Sequence, residues 1–283
     1  MSSKVCLVTG ATAGIGLVTA RELARLGATV VGVGRNREKN LAMARTIRQQ
    51  TGNAEVEYLL ADLSAQQEIR QLAQQFRRRY ERLDVLVNNA GAIFYKRRES
   101  IDGIEMTFAL NHLAYFLLTN LLLDMLKASA PARIINVSSA AHKGARLNFN
   151  DLQLRRWYLS WIAYNRSKLA NLLFTYELAR RLEGTGVTVN ALSPGLVATE
   201  LGTRGGGLAS LSKRLINTIA AISPVAGAQT SVYLATSPEV EGITGKYFVK
   251  CKAAPSSPAS YDENAARRLW QISAEMTGLA LPS

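Results

Sequence analysis

The sequence predicts an α/β domain in which helices cover both faces of a parallel sheet. Two observations support this fold class. Short apolar runs alternate with segments of helical periodicity, and no internal repeat or long linker interrupts the alternation. Strands that alternate with helices form βαβ units, which bury a parallel sheet from both sides. We therefore predict one doubly wound domain over residues 1–283, with seven parallel strands in the order 3-2-1-4-5-6-7.

Seven short apolar runs have the character of buried strands. They cover residues 5–8, 29–33, 56–60, 85–87, 134–137, 187–192 and 247–249. Helical periodicity covers residues 17–26, 64–80, 161–182 and 265–276, the last within a C-terminal extension over about 252–283. Ser64 and Gln67 have the spacing of a capping box, so we expect the second of these helices to begin at Ser64.

The composition excludes several classes of protein. A hydrophobic fraction of 48% is enough for a packed core and excludes a disordered chain. Two cysteines, Cys6 and Cys251, exclude a disulfide framework, and two histidines argue against a histidine-based metal site, so we predict no metal. The first residues lack the apolar segment of a signal peptide, which favours a cytoplasmic protein.

The chain is strongly basic, with 34 Lys and Arg against 21 Asp and Glu and a net charge of +13. Such a charge suits an anionic partner. The basic residues nevertheless fall in short scattered clusters, several of them near the ends of predicted helices, where cations favour the helix dipole. We interpret most of them as solvated helix faces and expect no nucleic-acid partner. Peripheral contact with a membrane surface remains the alternative.

A glycine-rich turn follows the first strand and opens the first helix. Gly10, Gly14 and Gly16 lack the Cβ that would hold the backbone away from a pyrophosphate. The helix that follows offers free N–H groups and the positive end of its dipole. This turn, between a strand and a helix, predicts a Rossmann-type dinucleotide-binding domain.

The end of the second strand distinguishes between the two nicotinamide dinucleotides. NAD sites usually place a carboxylate there, whereas this chain has Arg35 and Asn36. A guanidinium pairs with a 2′-phosphate through charge-assisted hydrogen bonds, so we predict NADP(H) as the cofactor. Asp62 and Leu63, after the third strand, are placed to contact the adenine.

Tyr164 and Lys168 lie four residues apart in a predicted helix and therefore share one face. A phenol with its ordinary pKa of about 10 is a poor base at neutral pH, and a nearby ammonium favours the phenolate. Ser138 and Ser139 end a buried strand at the carboxyl edge of the sheet, where ligands bind. The alternation of side chains along a strand leaves open which serine faces the cleft.

Together these elements resemble the short-chain dehydrogenase/reductase family, and they occur in the family's order from residue 4 to about 200. The matching residues are Thr9, Gly10, Gly14, Ile15, Gly16, Asn88, Asn89, Ala90, Gly91, Asn111, Ser138, Ser139, Tyr164, Lys168, Pro194, Gly195 and Thr199. The resemblance implies a proton relay of four residues. Ser139 would bind the substrate oxygen and Tyr164 would transfer the proton. Lys168 would bind the nicotinamide ribose and lower the pKa of Tyr164, and Asn111 would hold a water.

The resemblance also implies the cofactor contacts. Residues 88–91 would border the adenosine side and residues 194–199 the nicotinamide side. The full set of predicted NADP(H) contacts is Gly10, Thr12, Gly14, Ile15, Gly16, Arg35, Asn36, Asp62, Leu63, Asn88, Asn89, Ala90, Gly91, Tyr164, Lys168, Pro194, Gly195, Val197 and Thr199.

The 25 residues that separate Ser139 from Tyr164 form a longer segment than in many family members. This length, and the segments at 171–179 and 245–273, are similar to the retinol dehydrogenase and WW-domain oxidoreductase branch. The expected activity is NADP(H)-dependent interconversion of an alcohol and an aldehyde or ketone on a lipophilic substrate. Specificity would reside in a substrate loop at about 200–223 and in the long segment, whose Trp157 and Trp161 either line the cleft or pack elsewhere. The family also implies a homo-oligomer, and the alternative function is a non-catalytic NADP(H) sensor that binds a partner protein.

Overall fold

The computed structural model of the protein describes residues 1–195 and 223–280. Its strands form one sheet in the order β3-β2-β1-β4-β5-β6-β7-β8. The strands are β1 (Val5–Thr9), β2 (Thr29–Gly34), β3 (Val56–Leu60), β4 (Val85–Asn88), β5 (Ala132–Val137), β6 (Val187–Ser193), β7 (Lys246–Val249) and β8 (Lys252–Ala253). The predicted doubly wound fold and the order of the first seven strands are confirmed.

The eighth strand is an addition to the predicted sheet. β8 has two residues and pairs with β7 in the antiparallel direction. The turn between them places both Lys250 and Cys251 at positive φ, as a tight hairpin requires. Neither residue is the Asn or Gly that usually marks such a turn, so this strand has no local signal in the sequence.

The helices lie between the strands as the alternating pattern predicts. They are α1 (Gly14–Arg25), α2 (Arg37–Thr51), α3 (Gln66–Arg79), α4 (Met106–Phe108), α5 (Ala114–Leu121), α6 (Leu123–Ala128), α7 (Ser160–Arg181), α8 (Pro224–Thr236) and α9 (Glu263–Thr277). A π-helical turn, Ala109–Leu113, joins α4 to α5. No helix within the described ranges is long and apolar enough to cross a membrane.

The predicted capping box at the start of α3 is wrong. The Ser64 hydroxyl donates to Asp62 Oδ1 at 2.7 Å instead of accepting from the helix. α3 begins two residues later, and the Gln66 backbone N–H donates to Asp102 Oδ2 at 3.0 Å. The partner that accepts from the helix start is therefore 36 residues away in sequence, and local spacing could not reveal it.

Alternating residues of the sheet supply two separate apolar cores. In β1, Cys6 and Val8 pack with α1, α2 and α8, whereas Leu7 packs on the opposite face with α3, α5, α7 and α9. The strand order reverses between β1 and β4, and the carboxyl ends of these strands border the crevice where doubly wound sheets bind their ligands.

Candidate active site

The glycine turn at the end of β1 is packed too closely for side chains. A Cβ at Gly16 would lie 2.4 Å from both the Gly10 carbonyl oxygen and Asn89 Nδ2. Asn89 Nδ2 donates to the Thr9 carbonyl at 2.9 Å and so joins the turn to the loop after β4. Ala13 precedes α1 without a side-chain cap, which leaves the first backbone N–H groups of α1 for a ligand anion. The turn therefore fits the pyrophosphate of a dinucleotide.

Arg35 lies exposed at the carboxyl end of β2 and makes no ion pair within the described residues. Its neighbour Asn36 caps α2, because Asn36 Oδ1 accepts from the Lys39 backbone N–H at 2.8 Å. Thr12 of the glycine turn approaches the same strand end, since a Cβ at Gly34 would lie 2.5 Å from Thr12 Cγ2. The structure thus places Arg35 and the glycine turn at one edge of the sheet.

The predicted adenine contacts are only partly accessible. Asp62 Oδ1 accepts from the backbone N–H and the hydroxyl of Ser64, at 2.9 and 2.7 Å. The Leu63 side chain is buried in the core, which leaves only its backbone for the adenine, and both contacts stay predictions.

Residues 88–91 have different positions in the structure: Asn88 is buried within the sheet, and Gly91 lies near Lys168. Asn88 is fully buried and donates to Thr119 Oγ1 and Asn136 Oδ1, each at 2.9 Å. The side chain therefore holds β4 against β5, which leaves only the Asn88 backbone for the cofactor, and that contact stays a prediction. Gly91 lies beside the catalytic candidates, because a Cβ there would be 3.6 Å from Lys168 Nζ.

α7 brings Tyr164 and Lys168 to the end of β5, where the ambiguity between the two serines disappears. Ser138 is buried, and its hydroxyl donates to the Lys168 backbone carbonyl at 2.8 Å. Ser139 is only half-buried, and its hydroxyl is near enough to Tyr164 to influence the pKa of the phenol. Lys168 Nζ lies 5.6 Å from the centre of the Tyr164 ring and donates to the Val137 carbonyl at 3.0 Å. Ser139, Tyr164 and Lys168 thus form one cluster.

Burial sets the charge states of this cluster. It raises the pKa of Tyr164 above 10, although the hydrogen bond with Ser139 acts in the opposite direction. It also lowers the pKa of Lys168 from 10.5 to about 7. Removal from water thus acts against the charged form of both groups. The implied lowering of the Tyr164 pKa by Lys168 stays a prediction.

Asn111 lies in the π-helical turn and connects two parts of the site. Its Oδ1 accepts from the Ala92 backbone N–H at 2.9 Å, and its Nδ2 donates to the Ala92 carbonyl at 3.0 Å and to Ser167 Oγ at 3.1 Å. π-helical turns inside helices often occur at functional sites. The side chain ties the loop after β4 to α7, and the implied water-holding role stays a prediction.

The end of β6 contains a residue that the sequence analysis missed. Ser193 Oγ accepts from the Ala140 backbone N–H at 3.1 Å and from the Gly195 backbone N–H at 3.4 Å. It therefore joins the segment after Ser139 to the predicted nicotinamide-side segment at Pro194. No motif distinguishes this serine in the sequence. Val197, Thr199 and the substrate loop up to residue 222 lie outside the described residues.

The fold and the cleft together define a class of enzyme. A glycine turn at the switch point accepts a dinucleotide, and a phenol beside a hydroxyl and an ammonium can transfer a proton to or from a bound substrate. These two properties define a dinucleotide-dependent oxidoreductase. The family model described as short chain dehydrogenase matches residues 4–205. The chain belongs to the short-chain dehydrogenase/reductase family, in the retinol dehydrogenase branch.

Several known proteins are similar over nearly the whole chain. Human retinol dehydrogenase 14 is 46% identical over 99% of this chain and 88% of its own length. Human polyprenol dehydrogenase is 43% identical over 98% of this chain and 86% of its own length. A crystal structure of an uncharacterised protein from Mycobacterium paratuberculosis has a TM-score of 0.81 at 34% identity, covering 100% of this chain and 96% of that one. The Pseudomonas aeruginosa RhlG/NADP active-site complex has a TM-score of 0.68 at 27% identity, covering 88% and 94%.

Proposed function

We propose that the protein is an NADP(H)-dependent oxidoreductase that interconverts a lipophilic alcohol and its aldehyde or ketone, with Tyr164 as the acid/base. The family makes it an oxidoreductase acting on alcohol and carbonyl groups with a nicotinamide cofactor. The names of its relatives, retinol and polyprenol dehydrogenases, refer to long apolar alcohols. The observation that carries the proposal is the convergence of Ser139, Tyr164 and Lys168 at the carboxyl edge of the sheet, the edge that also carries the glycine turn.

The chain's own residues supply binding, orientation and the proton. When bound, the nicotinamide supplies or accepts the hydride. The Ser139 hydroxyl donates a hydrogen bond to the substrate oxygen and fixes its position. At neutral pH Tyr164 is a protonated phenol, because burial holds its pKa above 10. It donates this proton to the substrate oxygen as a carbonyl is reduced, which leaves a phenolate; in the reverse direction the phenolate accepts the proton of the alcohol. Lys168 places a polar head group beneath the phenol.

An activity screen tests the proposal directly. Loss of NADPH absorbance is measured with aldehydes, ketones, retinoids and steroids as candidate substrates. The alternative function, an NADP(H) sensor, requires cofactor binding without turnover on any of them. The complete cluster of Asn111, Ser139, Tyr164 and Lys168 supports the enzyme, since a sensor has no need of a proton relay.

Cofactor choice gives a prediction at Arg35. We expect the wild-type protein to bind NADPH at least tenfold more tightly than NADH, because a charge-assisted hydrogen bond contributes about 1.5–3 kcal/mol and each 1.4 kcal/mol is about tenfold. Arg35→Ala should lose most of this preference through weaker NADPH binding. The measurement is a titration of each cofactor at fixed ionic strength.

A matched control separates the local contact from net charge. Arg45, on the exposed side of α2, makes no ion pair in the described structure, and Arg45→Ala removes the same charge. That variant should keep the wild-type preference. Equal wild-type affinities, or a ratio that Arg35→Ala leaves unchanged, would show that the phosphate does not lie beside Arg35.

A surface segment beside Tyr164 supports a second part of the proposal, peripheral contact with an anionic membrane. We call residues 155–161, most of which are exposed, the aromatic–basic rim. Tyr158 in the rim donates to the Phe94 carbonyl at 2.6 Å, which holds the rim against the loop after β4. Trp157 and Trp161 are 60% and 56% exposed, and Trp161 stacks on Tyr164 with a centroid distance of 5.9 Å.

The charges of the rim complement an anionic lipid surface. Arg155 and Arg156 are exposed and make no ion pair within the described residues. Tryptophan prefers the membrane–water interface, and each arginine near an anionic bilayer contributes about 1 kcal/mol to binding. A lipophilic substrate could then enter the cleft from the bilayer.

Vesicle sedimentation tests the contact. We expect binding to phosphatidylserine-containing vesicles that weakens with salt, and little binding to pure phosphatidylcholine. Arg155→Gln with Arg156→Gln should weaken binding about tenfold or more. Arg45→Gln with Arg78→Gln removes equal charge elsewhere and should not. Equal losses in the two double variants would indicate diffuse attraction and refute a role for the rim.

A further inference from the structure

A segment near the C-terminus contacts both elements that carry the catalytic candidates. We call residues 254–261 the C-terminal strap. On one side it binds α7: the Tyr176 and Ser256 hydroxyls lie 2.7 Å apart, and the Tyr176 and Tyr261 rings stack with centroids 5.3 Å apart and planes at 4°. The Ser256 backbone N–H also donates to the Tyr261 hydroxyl at 3.0 Å. The strap is therefore fixed to the helix that carries Tyr164 and Lys168.

On its other side the strap contacts His142, three residues after Ser139. His142 is fully buried, and its ring packs edge-on against Tyr247 at a centroid distance of 5.1 Å. Nδ1 lies 2.6 Å from the Ser139 carbonyl oxygen, and the Ser257 backbone N–H donates to Nε2 at 3.1 Å.

These two partners determine the tautomer of His142. A carbonyl can only accept, so Nδ1 carries the proton and donates to Ser139. A backbone N–H can only donate, so Nε2 must be the unprotonated acceptor. The neutral imidazole thus forms a bridge of defined polarity from Ser257 in the strap to the backbone of Ser139.

We propose that His142 and the C-terminal strap are a positioning device that sets the placement of the Ser139 hydroxyl relative to Tyr164. Ser139 follows β5 and Tyr164 lies on α7. The strap is hydrogen-bonded to α7 through Ser256 and, through Ser257, to His142 in the turn after Ser139. Misplacement of a substrate-binding group by about 1 Å can lower turnover about 100-fold. The inference rests on the proposed function, because it assigns the device to the Ser139–Tyr164 pair.

Two substitutions at His142 each keep one of its hydrogen bonds. The amide of asparagine reaches the position of Nδ1, so His142→Asn can still donate to the Ser139 carbonyl but loses the hydrogen bond from Ser257 in the strap. The longer glutamine reaches the position of Nε2, so His142→Gln can still accept from the Ser257 N–H but loses the hydrogen bond to the Ser139 carbonyl. We expect each variant to lower kcat at least tenfold with little change in the KM for NADPH.

Ser257 provides a matched pair that leaves the histidine intact. Its hydroxyl has no hydrogen-bond partner among the described residues, so Ser257→Ala should keep the wild-type kcat. Its φ is −70°, which proline adopts, so Ser257→Pro removes chiefly the N–H donor. Ser257→Pro should match His142→Asn, because both cut the same link. If the His142 variants do not fold, this pair decides the question.

A double-mutant cycle distinguishes positioning from general support of the fold. A device that acts through the Ser139 hydroxyl has nothing to position once that hydroxyl is removed. His142→Asn and Ser257→Pro should therefore cause no further loss of kcat in the Ser139→Ala background. Equal losses in both backgrounds, or wild-type kcat in the single variants, would overturn the proposal. If Tyr164→Phe itself kept wild-type turnover, the proposed function would fail instead.

Discussion

Replacement of Tyr164 by phenylalanine is expected to lower turnover by about 10²–10⁴, the usual contribution of a positioned acid or base. The substitution removes one hydroxyl and keeps the ring, so the stack with Trp161 at 5.9 Å should persist. The fold and the affinity for NADPH should also persist. Steady-state kinetics with a carbonyl substrate measure the first effect, and a fluorescence titration with NADPH measures the second.

A second tyrosine controls for the loss of a hydroxyl. Tyr233 lies on α8, and its hydroxyl donates to Glu239 at 2.9 Å, away from the cluster of Ser139 and Lys168. Tyr233→Phe should keep the wild-type kcat. A Tyr164→Phe enzyme with near wild-type kcat would remove this residue from the mechanism, whatever its position in the cleft.

The position of the site could be predicted from the sequence. The apolar runs identify the strands, and the topology rules for parallel sheets then determine which residues lie at the carboxyl edge. Once the apolar runs are ordered as a parallel sheet, Thr9, Asn88 and Ser139 must come to its carboxyl edge. The glycine turn and the Ser139 end of β5 are then predicted at the same edge of the sheet without further information.

Other features depend on contacts between residues distant in sequence. The choice between Ser138 and Ser139 is made by the Lys168 backbone carbonyl, which accepts from Ser138 Oγ at 2.8 Å only because α7 lies against β5. Asn88 is a motif residue, yet its side chain points into a buried network with Thr119 and Asn136. Neither a sequence motif nor the alternation of side chains along a strand reveals these hydrogen-bond partners.

The charge state of Lys168 also depends on contacts distant in sequence. It leads to a prediction in which one substitution lowers turnover and relieves a cost in stability. Lys168→Met should lower turnover about as much as Tyr164→Phe, because a polar group beneath the phenol is lost. It should also remove an energetic cost, since an ammonium taken out of water is unfavourable. Burial has lowered the pKa of Lys168 from 10.5 to about 7.

The loss of stability caused by burying the Lys168 ammonium depends on pH in a defined direction. In the unfolded chain Lys168 keeps its proton up to about pH 10, whereas in the folded protein it releases the proton near pH 7. Between these values the unfolded state binds more protons, so the free energy of unfolding contributed by Lys168 increases with pH. The full penalty is present below pH 7 and is gone above about pH 10.5, and its size is on the order of a few kcal/mol.

Denaturant unfolding from pH 6 to pH 10 measures this contribution as a difference between proteins, in which all other titrating groups cancel. The stability of wild type relative to Lys168→Met should increase across this range. Lys127→Met, at an exposed position on α6, removes the same charge and should show no such trend. The lost hydrogen bond to the Val137 carbonyl lowers the stability of Lys168→Met by a similar amount at every pH. It therefore shifts the difference in free energy of unfolding equally at every pH and does not change its pH dependence. A difference that does not vary with pH would mean that Lys168 keeps an ordinary pKa in the folded protein.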